Sequence, residues 1–542
     1  MTFTHALSPP PPRHWPLMLL GVFLLALCIL APGIQSPTGL TGKDEFALGL
    51  RTPLEMMERD AWTVPVLNGQ PRLKKPPMLY WLGRASFETF GPSLPAARGI
   101  AVVFAALMVA ATAAIGRRCL GSPAAGLWAA ALLLSMLGLS SESRRFMLDI
   151  PTAALSTLAL LFFLRWREKD SWSAIGLAAL CLAAGFLIKG PIVALVCGGG
   201  ILALLLAGQL GLPELWRRKL PLISAGSLFL ALALPWFIYV RLRFPEAAAA
   251  ELQEELEARQ FFSLSPESLL GLIQIGLPWS LAVLALMPRA WREGGTPRFL
   301  LLWLLATFVP FLFIHTFDRY LVGSLVPLAL LGAWGLQQRP GLAPWGLRLG
   351  ALLMGLFVAI FAALAFWFHL GGWGWVLPPL LWLLWSGLHG RQPAEMAAAA
   401  LVTWVAFFAL LFPQLGINAV PPEIRQLAQD RPVLMFDGPQ PAMLPILLGR
   451  PLAHSSALTA AHLAPPNMLV FAREEDVGRL QEQVNKLGHQ LKPLGDYRVL
   501  SSRGSGIRFA REGSGKAEWQ AALQGHSLEP LLSRIRYFEV QP

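Results

Sequence analysis

NGQPRLKKPPMLYW occupies residues 68–81. Three cations, Arg72, Lys74 and Lys75, precede Pro76 and Pro77, and the aromatic pair Tyr80 and Trp81 follows. The prolines fix their own φ and hold the preceding residue extended, so the cations sit on a stiff stem. Tyr and Trp suit the water–lipid boundary of a membrane. The segment therefore reads as a rigid basic loop turning back toward a bilayer.

The rest of the chain supplies that bilayer. Of 542 residues, 55% are hydrophobic and 14% charged, against about 25% charged in ordinary soluble domains. Apolar runs of about 18 residues or more recur along most of the length. Many are apolar on every face, which excludes one large soluble core. The sequence specifies a polytopic α-helical membrane protein with about 13 spans. The first lies near 16–33; it is longer than a signal-peptide core and no small-x-small site follows it directly, so it is expected to remain as a span. Later ones include 150–165, 174–189, 190–209 and 220–241. Cys28, Cys119, Cys181 and Cys197 lie in or beside apolar runs and form no CxxC pair. They read as small packing residues, with neither a disulfide framework nor a zinc site.

The net charge of +12 follows from the short loops rather than from nucleic acid binding. Arg117/Arg118, Arg165/Arg167/Lys169, Arg217/Arg218/Lys219, Arg289/Arg292/Arg298, Arg339 and Arg391 fall in alternate loops. That side is expected to be cytoplasmic, together with Arg13 and the N-terminus. An odd number of spans then puts the C-terminal region outside. Beyond residue 417 the pattern changes to short strands (RPVLMFDGPQ, PNMLVFARE, YRVLSSRGSGIRFAR) and an exposed helix, EEDVGRLQEQVNKLG. The expected organisation is a transmembrane domain over 1–417, with a first outer loop at 34–94, and a small periplasmic α/β domain over 418–542.

Cations also occur on the outer side. They are Arg51, Arg59, Arg72, Lys74, Lys75 and Arg84 in the first loop, and Arg144, Arg145, Lys189, Arg241, Arg243, Arg259 and Arg319 beyond it. Any one could snorkel to headgroups. As a cluster at the membrane edge they read as a basic funnel suited to lipid phosphate. Among the acids, Asp44 and Glu45 directly follow the first span, where either could pair with Lys43 or Arg51. Thr52 and Glu55 fit a capping box with Pro53 at the first helical position, opening a short helix over PLEMMERDA. Asp149, in SRRFMLDIPTAAL, stands near a helix N-terminus, where the dipole favours a carboxylate.

Together these features resemble the lipid-donor glycosyltransferases of the GT-C class, closest to glycosyltransferase family 39 and the bacterial aminoarabinose (4-amino-4-deoxy-L-arabinose) transferases. The resemblance rests on Asp44-Glu45 after the first span, EMMERDAWTVPVLNGQPRLKKPPMLYW, LDIPTAAL, FLIKGPIVAL and DRYLVGSLVPLALL, in order over residues 44–335. Two departures stand out. Lys74 takes the place where the family usually has an acid, and EAAAAELQEELEARQFF lacks a histidine often seen there, with Glu255 and Arg259 the nearest positions.

The resemblance implies a glycosyltransferase that moves a sugar from a polyprenyl-phosphate donor to an envelope acceptor at the outer face of a bacterial inner membrane. The first candidates are 4-amino-4-deoxy-L-arabinose or a related sugar, and lipid A; protein or another envelope glycan is the alternative acceptor. It implies catalytic roles among Asp44, Glu45 and Asp149, phosphate contacts from Lys75, Lys189, Arg259, Arg319 and Tyr320, and a substrate lining of Tyr80, Trp81 and Glu255. It calls for no cofactor, leaving a divalent cation open, and for membrane lipids but no nucleic acid as partners. A transporter of the same lipids would need inverted repeats and ionisable groups at mid-bilayer, neither evident here. A non-catalytic assembly protein would leave the first-loop motif unexplained.

Overall fold

The structure, a computed structural model, describes residues 12–38, 42–259, 264–314, 317–338, 341–389, 392–437, 443–500 and 509–542; the side chains of residues 42, 43, 47, 252, 255, 258 and 259 are not described. Most of it is a bundle of apolar helices whose ends are set by local sequence. The Leu94–Leu120 helix is typical. Ser93 caps it by accepting from the Ala96 N–H, Pro95 fills its first turn, and Gly121 closes it at φ 71°. A left-handed residue at that position costs glycine nothing.

Among the described residues, eight helical stretches are long and apolar enough to cross a membrane. One of them, 172–206, doubles back. Lys189 at the end of Trp172–Lys189 meets Asp149 at the start of Asp149–Lys169. After the 3-10 turn Gly190–Ile192 the chain runs along that same helix in the other direction. A Cβ on Gly200 would stand 2.6 Å from Leu160, and Arg167 at the far end donates to the Gln209 carbonyl. A further bent pair, Glu267–Ile275 and Ser280–Glu293, meets at 112°, and Trp15–Leu30 and Pro123–Leu134 are shorter. Length and apolarity alone count eight to nine spans among the described residues, and the doubled-back stretch and the shorter helices leave the expected number of about 13 unconfirmed; the chain is a multi-pass membrane protein. Buried tryptophans tie the bundle through hydrogen bonds, Trp279 Nε1 to Ser135 Oγ (2.8 Å) and Trp303 Nε1 to the Val196 carbonyl (2.8 Å).

The segment after the first helix corrects one expectation. A π-helix, Gly42–Leu50, runs directly into Arg51–Glu58, so Thr52 lies inside the helix and caps nothing. Its hydroxyl donates to the Leu48 carbonyl at 2.6 Å. Glu55 is fastened instead by Arg51 (3.1 Å) and the Gly69 N–H (3.0 Å). With the helix already running, no free N–H groups await a cap.

The C-terminal sheet has the order Ala453–Ser455, Val433–Phe436, Leu469–Arg473, Ser533–Gln541, Gln490–Val499. The first three strands are parallel and the last two join antiparallel. Apolar clusters cover both faces, one around Leu469, Phe471 and Ile535, the other around Val470, Leu480 and Phe538. The Trp367 indole donates to the Leu523 carbonyl (2.9 Å), and the Asn418 N–H to the Leu500 carbonyl (2.8 Å). These contacts seat the sheet at the end of the bundle where Asp149–Lys169 begins.

Candidate functional site

The helix ends at that face bring distant charges together. Asp44 comes from the π-helix after the first span, Asp149 from a helix start, Lys189 from a helix end, and Arg319 from the 3-10 segment Asp318–Ser324. Arg319 Nη2 donates to Asp44 Oδ2 at 2.8 Å, and its Nε lies 3.7 Å from Asp149 Oδ2. Lys189 donates to Asp149 Oδ1 and rests over the Tyr320 ring, 3.6 Å from its centre. Asp149, Lys189 and Arg319 have side chains 4%, 6% and 8% exposed; Asp44 is 25% exposed. Water therefore reaches Asp44 far more than the other three. Asp44 pairs with Arg319 across 275 residues, while Arg51 is turned to Glu55 and Asn68; the Lys43 side chain lies outside the described residues.

Glu45 faces the other way. It is fully buried, and Arg98 grips both its oxygens at 2.7 and 2.9 Å. Its Oε1 also accepts from the Phe146 N–H at 2.9 Å. Arg98 Nη1 donates in addition to the carbonyls of Ile34 (3.0 Å) and Ser36 (2.7 Å). One guanidinium thus joins the end of the first span, the helix bearing Asp44 and the loop three residues before Asp149. Sequence reasoning passed over Arg98. A cation five residues into an apolar run was its signal, since such a charge is expensive in a membrane unless paired.

Two cavities meet at Lys189. A small one of about 30 Å³ is lined by Asp149, Thr152, Lys189, Thr307, Arg319 and Tyr320 among others. A mostly apolar one of about 1550 Å³ runs from Leu73–Pro76 past Lys189–Ile192 to Trp236–Leu242 and Leu302–Pro310. Lys74, Lys75 and Arg241 sit on its wall. Lys74 also pairs with Glu254 on the Pro245–Arg259 helix. Arg319 Nε is buried and has no hydrogen-bond partner among the described residues.

Other expected site residues fall elsewhere. Tyr80 is buried, its hydroxyl facing Arg72 Nε at 3.3 Å. Trp81 donates to the Trp62 carbonyl and packs near Trp236. Both stand behind the cavity wall, outside its lining. The side chains of Glu255 and Arg259 lie outside the described residues. Arg144 and Arg145, read as funnel cations, are committed to the bundle. Arg144 donates to the carbonyls of Ile29, Pro32 and Ser140, and Arg145 pairs with Glu142 at 2.9 Å. Among the described residues no group of three or more His, Cys, Asp or Glu could hold a metal.

Residues 74–239 match the family model described as dolichyl-phosphate-mannose-protein mannosyltransferase. An undecaprenyl phosphate-α-4-amino-4-deoxy-L-arabinose arabinosyl transferase of Pseudomonas aeruginosa is 31% identical over 331 residues, 56% of this chain and 58% of that protein. A second P. aeruginosa protein of the same description is 30% identical over 65% of each chain. An uncharacterized protein of Aquifex aeolicus is 28% identical over 42% of this chain and 50% of that one. The chain thus spans 50–60% of the length of the first curated relatives it matches. The crystal structure of ArnT from Cupriavidus metallidurans bound to undecaprenyl phosphate superposes with a TM-score of 0.67 at 19% identity, covering 92% of this chain and 98% of that one. Its apo state gives 0.68 at 18% identity over 89% and 96%. The chain is a multi-pass membrane protein that resembles these transferases in sequence over part of their length and shares the fold of the Cupriavidus metallidurans ArnT structures.

Proposed function

We propose that this chain is a glycosyltransferase that moves a sugar from a polyprenyl-phosphate donor to an envelope acceptor, with 4-amino-4-deoxy-L-arabinose or a related sugar and lipid A as the leading pair. Protein or another glycan is the alternative acceptor. The observation that carries this reading is the neck at Lys189 and Arg319. An apolar cavity of about 1550 Å³ reaches Lys189, the small cavity that shares Lys189 is lined by Arg319, and Arg319 keeps a buried Nε–H with no hydrogen-bond partner among the described residues. A lipid tail fits the first feature and a phosphate oxygen the second. The Pseudomonas relatives, described as undecaprenyl phosphate-α-4-amino-4-deoxy-L-arabinose arabinosyl transferases, and the ArnT complex with undecaprenyl phosphate support the same chemistry.

In this reading an acceptor oxygen attacks the anomeric carbon and the bond to the lipid phosphate breaks. The electron pair leaves on the phosphate, whose charge Lys75, Lys189 and Arg319 stabilise. For a hydroxyl acceptor the proton passes to Asp44; for a phosphate acceptor no proton moves and Asp44 orients the nucleophile. Asp149 sets the spacing of Lys189 and Arg319. We assign 1–417 to the catalytic unit and 418–542 to an accessory domain, and place the site on the periplasmic side of the inner membrane with the N-terminus in the cytoplasm. The charge pattern supports that orientation, because the opposite loops hold Arg118, Arg167 and Arg218. Mass spectrometry of lipid A from cells with and without the protein tests the reading. A mass addition of one aminopentose should require both the protein and Asp44. Unchanged lipid A, with no transfer by purified protein from a polyprenyl-phosphate donor, would overturn it.

A further inference from the structure

A third cavity, of about 20 Å³, shares no lining residue with the two that meet at Lys189. Three buried arginines line it: Arg98 from the Leu94–Leu120 helix, and Arg144 and Arg145 from the turn before Asp149. Ser36 and Thr38, in the segment after the first helix, line it too. Arg98 is paired with Glu45 and Arg145 with Glu142. Arg144 is met, among the described residues, by three carbonyls and the Phe408 ring but by no acid. Three cations against two acids leave one positive charge. The cluster around Lys189 does not offset it, because Asp44 and Asp149 there are matched by Lys189 and Arg319. The carbonyls that accept from Arg144 stand near helix ends, and a helix end carries only about half a charge. A buried charge without a counter-charge is costly.

We infer that this cavity binds a small monovalent anion of the chloride type. The N–H and O–H groups to hold it are at hand. Arg145 Nε is buried and has no hydrogen-bond partner among the described residues. Arg144 uses three of the five N–H groups of a guanidinium on carbonyls. Ser36 Oγ accepts from the Thr38 N–H at 3.2 Å, which leaves its own proton to donate. The volume of about 20 Å³ exceeds the roughly 10–15 Å³ that a water-sized particle needs. A halide fits; a phosphate carrying a lipid or a sugar does not. One such anion neutralises the cluster and fastens the turn that bears Arg144 and Arg145 to the segment after the first helix. The inference stands independently of the proposed reaction.

The test uses full-length protein in detergent, exchanged into sodium gluconate, whose anion is too large for the cavity. Sodium chloride or bromide is titrated in at constant ionic strength while thermal unfolding is followed. The melting temperature should rise with halide and then saturate. Ser36→Ala removes one O–H group and little volume, so the variant should fold. Its half-saturating halide concentration should be about 10- to 100-fold higher, the worth of one charge-assisted contact. Crystals of the wild type grown in bromide should show an anomalous peak within hydrogen-bond distance of Arg145 Nε. A melting temperature indifferent to halide, the same half-saturating concentration in Ser36→Ala as in the wild type, or a cavity that holds water and no bromide would overturn the inference.

Discussion

Asp44 and Glu45 are adjacent acids with opposite surroundings, and their amide variants should fail in different ways. Glu45 is completely buried and accepts from Arg98 Nε, Arg98 Nη2 and the Phe146 N–H within 2.9 Å. In Glu45→Gln one oxygen becomes an NH2 group facing donors, and the Arg98 charge stays buried without its counter-ion. Breaking a buried pair in this way costs about 3–5 kcal/mol. That is a large share of the roughly 5–15 kcal/mol by which a domain is stable. Asp44 has one 2.8 Å bond to Arg319 and is 25% exposed. Asn keeps its shape, and a partly wet pair contributes only about 0–1 kcal/mol. Its loss should appear in the rate, as about a 10²- to 10⁴-fold fall in transfer to a hydroxyl acceptor. The assay combines thermal unfolding in detergent, size-exclusion profiles and single-turnover transfer. Asp44→Asn should be monodisperse, melt near the wild type and transfer almost nothing. Glu45→Gln should melt well below it or express poorly. A Glu45→Gln protein with wild-type stability, or an Asp44→Asn protein with substantial transfer, would refute this division of roles.

Lys75→Ala should weaken donor binding about 10- to 100-fold by removing a charge-assisted phosphate contact. Lys74→Ala should change it little, because Lys74 is turned to the exposed Glu254; donor titration of both variants decides it. A reporter active only in the periplasm, fused after Pro542, should be active, and cytoplasmic-only activity would invert the assignment. The buried Tyr497 hydroxyl has no hydrogen-bond partner among the described residues, and burial pushes its phenol above the ordinary value. Its proton is therefore held more tightly in the folded state, so stability is intact below about pH 10 and falls as the unfolded phenol ionises above it. Tyr497→Phe should melt within a few degrees of the wild type at pH 7 and lose less stability at pH 11.

Composition and charge pattern made the membrane class legible, because a bilayer filters sequences by apolar length more sharply than a soluble core does. The motif order also pointed to the fold. Lengths of passes were less legible. The break in GFLIKGPIVAL was legible from Gly190-Pro191, where 174–189 and 190–209 read as separate spans, and the packing of Gly200 on Leu160 gives the direction of the second. The strand SRIRYFEVQ at residues 533–541 was overlooked, although Ser533, Ile535, Phe538 and Val540 are buried while Arg534 and Gln541 face water. Its near-alternation was the available signal. The Thr52–Glu55 box failed for a different reason. Capping residues act only where a helix begins, and here a preceding π-helix had already begun it.

The functional acids show where a linear reading must stop. Successive residues on a helix point roughly 100° apart, so sequence adjacency places Asp44 and Glu45 in different environments without saying which environment is which. Partners more than 50 residues away decide it. Arg98 draws Glu45 into the protein, and in doing so fixes the backbone that carries Asp44 and, through Phe146, the approach to Asp149. Arg319 then bridges those two carboxylates at the cavity neck. The buried pair and the proposed catalytic pair are therefore parts of one construction: the first holds two chain segments at a set distance, and the second would use that distance. A site of this kind is precise because its supports are on helices and its charges are satisfied before substrate arrives. The Nε of Arg319, buried and without a hydrogen-bond partner among the described residues, is the donor that the proposed reaction would offer to the phosphate.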